Sequence, residues 1–124
     1  IRYPRDGTNN KSFRFDAVLN EACLQQHVFE SIGHDVVEDF ISGFSCTVFA
    51  YGTSTSCKSQ TLFGTDLSCP QDEIGLVARS LKHLFMRLGR MPVMKATISC
   101  GLLAIRKNNV YDLLSDHPCQ SRKL

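Results

Sequence analysis

Val48-Phe49-Ala50-Tyr51-Gly52-Thr53-Ser54-Thr55-Ser56-Cys57-Lys58-Ser59 is the stretch on which the reading of this chain turns. The apolar, β-rich run from Cys46 to Tyr51 predicts a strand buried on both faces, as in a parallel sheet. A glycine and a run of hydroxyl side chains then break it, and Gln60 to Phe63 predict the opening of a helix. Strand, hydroxyl-rich turn and helix in this order fit the phosphate-binding loop G-x-x-x-x-G-K-[ST] at Gly52, Lys58 and Ser59. Cys57 stands where the second glycine belongs. The chemistry explains each part: successive backbone N–H groups curl around phosphate oxygens, and a helix N-terminus adds positive partial charge. The lysine reaches the terminal phosphates and the serine hydroxyl ligates Mg²⁺. On these residues alone, an ordinary hydroxyl-rich turn after a strand stays an open alternative.

Working outward, Ser12 to Val18 alternate polar and apolar, a strand pattern. Asn20 is placed to cap a helix. Its apolar row runs Leu24, Val28, Ile32, Val36 and Phe40, widened by Phe29, Val37 and Ile41, and Gly43 closes it. Gly33 lies inside and is expected to cost about 1 kcal/mol relative to alanine. After a loop over 64–72, a second amphipathic helix is expected from Glu73 to Leu88, with Leu76, Val77, Leu81, Leu84, Phe85 and Leu88 inward. Gly89 and Pro92 end it. Val93 to Ile105 alternate and predict a long strand, Asn108-Asn109 a turn, and Val110 to Leu114 a short helical or extended piece. Residues 1–11 read as a loose lead-in and 116–124 as a frayed tail. Strands separated by helices predict an α/β fold, a layered sheet with flanking helices, mixed or mainly parallel and joined by right-handed crossovers.

Composition narrows the function classes. The chain has 124 residues, about one domain. Hydrophobic residues make up 43% and charged residues 21%, which excludes a disordered polar chain. No apolar run approaches the roughly 20 residues of a membrane span, and Ile1-Arg2-Tyr3-Pro4 carries no apolar signal core. A formal charge of +2 gives no reason to expect nucleic acid. Arg79, Lys82, Arg87 and Arg90 read as the wet face of a helix. None of the 6 cysteines is spaced C-x-x-C, and several sit in apolar runs, so they are read as reduced and the compartment as cytosolic. Cys23 and His27 are four apart on the first helix, but no other ligand pair lies near them in sequence to complete a metal site.

The blocks around the loop change the weighing. Val48-Phe49-Ala50-Tyr51-Gly52 with Lys58-Ser59-Gln60-Thr61-Leu62-Phe63-Gly64 resembles the kinesin motor pattern F-A-Y-G-Q-T-G-S-G-K-T-x-T-M-x-G. Phe15-Asp16-Ala17-Val18-Leu19 is similar to F-D-x-V-F, and Gln25, Val28, Phe29 and Glu30 to Q-E-x-V-F-E. Gly75-Leu76-Val77-Ala78-Arg79-Ser80-Leu81 with Leu84-Phe85 is similar to G-I-I-P-R-A-L-x-x-L-F. Ile105 with Val110-Tyr111-Asp112-Leu113-Leu114 is similar to E-I-Y-N-E-x-V-Y-D-L-L. These collinear blocks resemble part of a kinesin motor domain over residues 12–115, of the phosphate-loop NTPase type.

The resemblance implies an ATP-driven motor that moves on microtubules, in the cytoplasm and on the cytoskeleton. It makes tubulin the expected partner and places any homo- or heterodimerising coiled coil outside these residues. It implies neither a membrane nor a nucleic-acid partner. By position, Gly52, Thr53, Ser54, Thr55, Ser56, Cys57, Lys58 and Ser59 would wrap the phosphates of ATP. Lys58 would lie on the β/γ-phosphates, Ser59 on Mg²⁺ and Gln60 near the adenine edge. Departures accompany the match. Thr55 and Cys57 replace family glycines, which predicts at each either a side chain projecting at the phosphate or left-handed strain, and weakened nucleotide binding. Ala78 replaces the family's proline, and Ala104, Arg106 and Lys107 replace three residues of E-I-Y-N. The switch motifs N-x-x-S-S-R-S-H and D-L-A-G-S-E do not occur in the 124 residues. No catalytic residue for hydrolysis is therefore assigned. A fragment of a longer motor, a decayed copy and a catalytically inactive interaction module that binds tubulin or a motor partner all stay open.

Overall fold

The first helical stretch is tied at its start by a histidine side chain. In the computed structural model, which describes residues 2–3, 11–65, 73–91, 95–115 and 122–123, Leu24 is extended (φ −75°, ψ 157°) and its N–H donates to His27 Nδ1 at 3.2 Å. Helix α1 (Gln25–Val28) comes next, then a π-helical turn (Phe29–Gly33) and α2 (His34–Ile41). Asn20, the expected cap, instead folds the chain four residues earlier. Its Oδ1 accepts the Ala22 N–H at 3.0 Å and its carbonyl the Cys23 N–H at 3.1 Å, a local side-chain turn that competes with helix. The C-terminus matches expectation. Gly43 takes φ +94°, its N–H bonds Phe40 O and the Phe44 N–H bonds Asp39 O, each at 3.0 Å, a Schellman closure.

Helix α4 (Leu76–Gly89) packs on this stretch and decides which face is buried. The buried apolar side chains are Phe29, Val37, Leu76 and Leu84. The expected stripe holds in part: Phe29 and Val37 are buried and Val28, Val36 and Ile41 half-buried, whereas Leu24, Ile32 and Phe40 are exposed and Gly33 joins the inward face. The stripe presupposes an unbroken α-helical period, whereas Phe29–Gly33 forms a wider π turn and shifts the phase of the residues beyond it. Gly33 is used for close approach, since a β-carbon there would lie 2.6 Å from Phe29 Cδ2 and 2.7 Å from Leu76 Cδ1. On α4 only Leu76 and Leu84 of the expected inward set are buried. Val77, Leu81 and Phe85 are exposed.

Helix α3 (Lys58–Phe63) starts two residues before the expected Gln60. It reaches α4 through a backbone crossing in which Gly64 bridges Ile74. A β-carbon on Gly75 would stand 2.4 Å from Gly64 N and 2.5 Å from Phe63 C, so this crossing excludes any side chain. Strand β1 (Arg2–Tyr3) pairs antiparallel with β2 (Lys11–Ser12). The expected strands at 12–18 and 46–51 form no ladder among the described residues beyond Ser12. A strand exists only where a neighbour takes its N–H and C=O groups in a ladder, and among the described residues no ladder runs along 14–18 or 46–51. Phe49 and Tyr51 are 82% and 90% exposed, their rings stacked 6.4 Å apart.

Residues 93–124 form a separate unit. Its ladder is antiparallel: β3 (Leu103–Arg106) pairs with β4 (Asn109–Asp112), and β4 with β5 (Arg122–Lys123). The long strand expected over 93–105 is thus a ladder only from Leu103, and 92–94 lie outside the described residues. The turn sits at Lys107-Asn108, one residue before expectation, because the Ile105–Val110 and Ala104–Tyr111 pairings set the register. Lys107 takes φ +54° to make it.

Candidate functional site

Four hydroxyl side chains in a row give this segment local turns rather than strand or helix. Ser56 donates its N–H to Thr53 O at 3.1 Å and its Oγ hydrogen to the same oxygen at 2.7 Å. The Thr53 and Thr55 hydroxyls meet at 3.3 Å. The loop thus closes on itself between Gly52 and Cys57. At its exit Cys57 takes φ 54°, ψ 24°, left-handed, and caps α3. The first bonds of that helix come back to Cys57 O, from Thr61 N at 2.9 Å and Thr61 Oγ1 at 3.1 Å.

Lys58 fills the middle of the loop. Its ammonium donates to Gly52 O at 2.9 Å, to Thr53 O, and to Ser56 Oγ at 3.4 Å. The half-buried lysine is the cation of the site, and the exposed loop residues from Gly52 to Cys57 surround it. Ser59 lies exposed in the first turn of α3, where N–H groups have no acceptor in their own helix. The Gln60 side chain is exposed, and its carbonyl accepts Gln25 Nε2 at 2.8 Å, tying the loop's helix to α1. The expected strain falls on one residue rather than two. Cys57 is left-handed, whereas Thr55 sits in a turn with φ below zero.

A second cluster was missed in sequence. Arg87 donates Nε to Glu38 Oε1 and Nη2 to Oε2, each at 2.8 Å, and His83 Nε2 lies 3.0 Å from Oε1. The Arg87 hydrogen bonds, then that of His83, hold the Glu38 carboxyl below its ordinary value of 4.5. His34 contacts Asp35 through Nδ1 at 3.1 Å, and its ring lies 5.1 Å from that of His83. Arg87 and Arg79 therefore leave the wet face on which they were placed. Arg79 donates to Ile74 O and to Gln26 Oε1, each at 2.7 Å. The i,i+4 spacing of His34 and Glu38, and of His83 and Arg87, was visible. That the two pairs face each other was not. Of the Cys23–His27 pair, His27 spends Nδ1 on the helix start. Cys23, Cys46, Cys57 and Cys100 are unpaired, and no helix among the described residues is long and apolar enough to cross a membrane.

Comparison with known proteins gives a consistent answer. The kinesin motor domain family model matches residues 3–124. The kinesin-like protein bimC of Emericella nidulans is 32% identical over 113 residues, 89% of this chain and 9% of that protein. Klp61F of Drosophila melanogaster is 32% identical, over 92% of this chain and 11% of its own length. Human centromere-associated protein E is 28% identical over the whole chain, which spans 4% of that protein. The chain thus spans a small part of the curated relatives it matches. Among solved structures, Drosophila NOD, nucleotide-free and complexed to the microtubule, superposes with a TM-score of 0.78 at 24% identity over 92% of this chain and 40% of that one. That likeness establishes the fold, part of a phosphate-loop motor domain of layered α/β type.

Proposed function

This chain belongs to the kinesin motor domain family, and from that premise we propose that it is the ATP-binding part of a microtubule motor. The observation that supports this most is the setting of Lys58. Its ammonium sits inside the loop, at the start of a helix, held by backbone carbonyls that a phosphate can replace. The residues present fit the implied group. Lys58 would pair with the β/γ-phosphates, Ser59 would ligate Mg²⁺, Gly52 to Cys57 would border the phosphates, and Gln60 would lie toward the adenine. Bound Mg²⁺ supplies charge neutralisation across the terminal phosphates. The chain's own residues bind and orient. Lys58 exchanges neutral carbonyl partners for anionic oxygens, a stronger charge-assisted contact. The residues that would sense the γ-phosphate and position water are not among these 124, so no hydrolytic step is assigned to them. Tubulin as partner and a cytoplasmic, cytoskeletal location are part of the same proposal, and any dimerising coiled coil would lie outside these residues.

Titration of a fluorescent ATP analogue with and without Mg²⁺ tests the reading. Mg²⁺-dependent saturable binding that Lys58→Ala abolishes is expected. One observation favours the second reading, a catalytically silent module binding tubulin or a motor partner: Cys57 puts a side chain on the left-handed residue of the loop. Absent nucleotide binding with retained tubulin pelleting would select it.

A further inference from the structure

The geometry points to a transition-metal site, of zinc type, between α2 and α4, made by His34, Glu38 and His83, independent of the nucleotide reading. Each contributes one ligand atom, and the three atoms lie within 4.8 Å of one another. Tetrahedral zinc with bonds of about 2.0–2.1 Å spaces its ligand atoms about 3.3 Å apart, so closure needs a shift of about 1.5 Å at the widest pair. The site draws from two elements. His34 and Glu38, at i and i+4, share one face of α2, and His83 projects from α4. Two imidazoles and one carboxylate are a recurrent three-protein-ligand set for zinc, with water in the fourth position.

The surroundings match what such ligands need. Asp35 Oδ1 sits 3.1 Å from His34 Nδ1, the outer carboxylate that fixes a ligating ring's tautomer and leaves its other nitrogen free. Phe29 packs edge-on against His83 at 5.6 Å and limits that ring's orientation. The side chains of His34 and Glu38 are 50% and 31% exposed, which gives an ion an entry path. The opposing group is Arg87, which occupies both carboxylate oxygens. Metal and guanidinium therefore compete for Glu38, and the arginine, 37% exposed, has solvent to swing into.

This competition supplies the test. Zn²⁺ is titrated against a chromophoric chelator on the full 124-residue chain, with Co²⁺ absorption as the coordination readout and far-UV circular dichroism as the folding control. Wild type is expected to bind one equivalent. His34→Gln and His83→Gln are each expected to weaken it more than the roughly 10–100-fold that loss of an outer partner costs. Arg87→Gln, which frees Glu38, is expected to tighten it. Zn²⁺ is expected to raise the melting temperature of wild type and not of His34→Gln, whose exposed position keeps the comparison valid if His83→Gln fails to fold. Co²⁺ bands of nitrogen–oxygen type support the site. Thiolate charge-transfer bands, affinity unchanged in His34→Gln, or no gain in Arg87→Gln overturn it.

Discussion

Replacing Cys57 by glycine is expected to make the protein more stable. Cys57 holds φ 54°, ψ 24° at the entrance to α3, where an L-residue's β-carbon crowds the following carbonyl at about 1–2 kcal/mol. Glycine removes that cost but adds freedom to the unfolded chain, which opposes the gain by about 0.5–1 kcal/mol. The Cys57 Sγ contact to Thr55 O, at 3.9 Å, is weak and its loss small. The net is a gain of about 0.5–1 kcal/mol, and with a urea slope near 2 kcal/mol/M a midpoint raised by about 0.3–0.5 M. Cys57→Ala keeps the β-carbon and loses the thiol, so it is expected to match wild type within a few tenths. Urea unfolding followed by circular dichroism measures both. Equal midpoints for the glycine and alanine variants, or a glycine variant less stable than wild type, would refute the backbone argument. If the loop binds ATP as proposed and binding needs that strain relieved, the glycine variant also binds tighter by up to about fivefold, since about 1.4 kcal/mol is a factor of ten.

Other substitutions probe separate joints. Gly75→Ala is expected to cost more than about 2 kcal/mol or prevent folding, because its β-carbon would meet Gly64 N at 2.4 Å, and a thermal melt of the purified chain reads this. The folded Glu38 carboxyl is held below 4.5, so its ion pair stabilises fully above that value and is lost as pH falls through the lower, folded value. The melting-temperature difference between wild type and Glu38→Gln should therefore be constant near neutrality and shrink to nothing in acid. A difference that grows in acid would contradict this sign. Lys107→Gly, at the φ +54° turn of the β3–β4 hairpin, should stabilise by about 0.5 kcal/mol in urea unfolding.

How much could be read in advance divides along the range of the interactions. Helix ends were legible where a local rule governs them: Gly43 closes α2 because a glycine at that position takes the left-handed turn. The order of turn, lysine and helix was legible because it is set within a dozen neighbouring residues, and the left-handed Cys57 followed from the glycine it replaces. The buried face of α1–α2 was legible only in part: Phe29 and Val37 are buried as expected, but the π turn at Phe29–Gly33, which composition does not announce, goes with an exposed Ile32 and Phe40. The Asn20 turn was not legible, because side-chain capping had two uses and the earlier one won. The run at 46–51 has a strand's composition, but ladders are made by partners, which composition does not supply. The Glu38–His83–Arg87 cluster depends on residues more than forty positions apart.

The lysine seated in its own loop has an energetic corollary. If the loop takes a phosphate as proposed, the tethered cation must first let go of its carbonyls. The apparent dissociation constant for an anion is then the intrinsic value divided by the fraction of molecules that are open. Entry becomes an exchange, in which a released tether is recaptured by the newcomer's oxygens. Such a gate makes the association rate level off as ligand concentration rises, at the frequency with which the tether detaches.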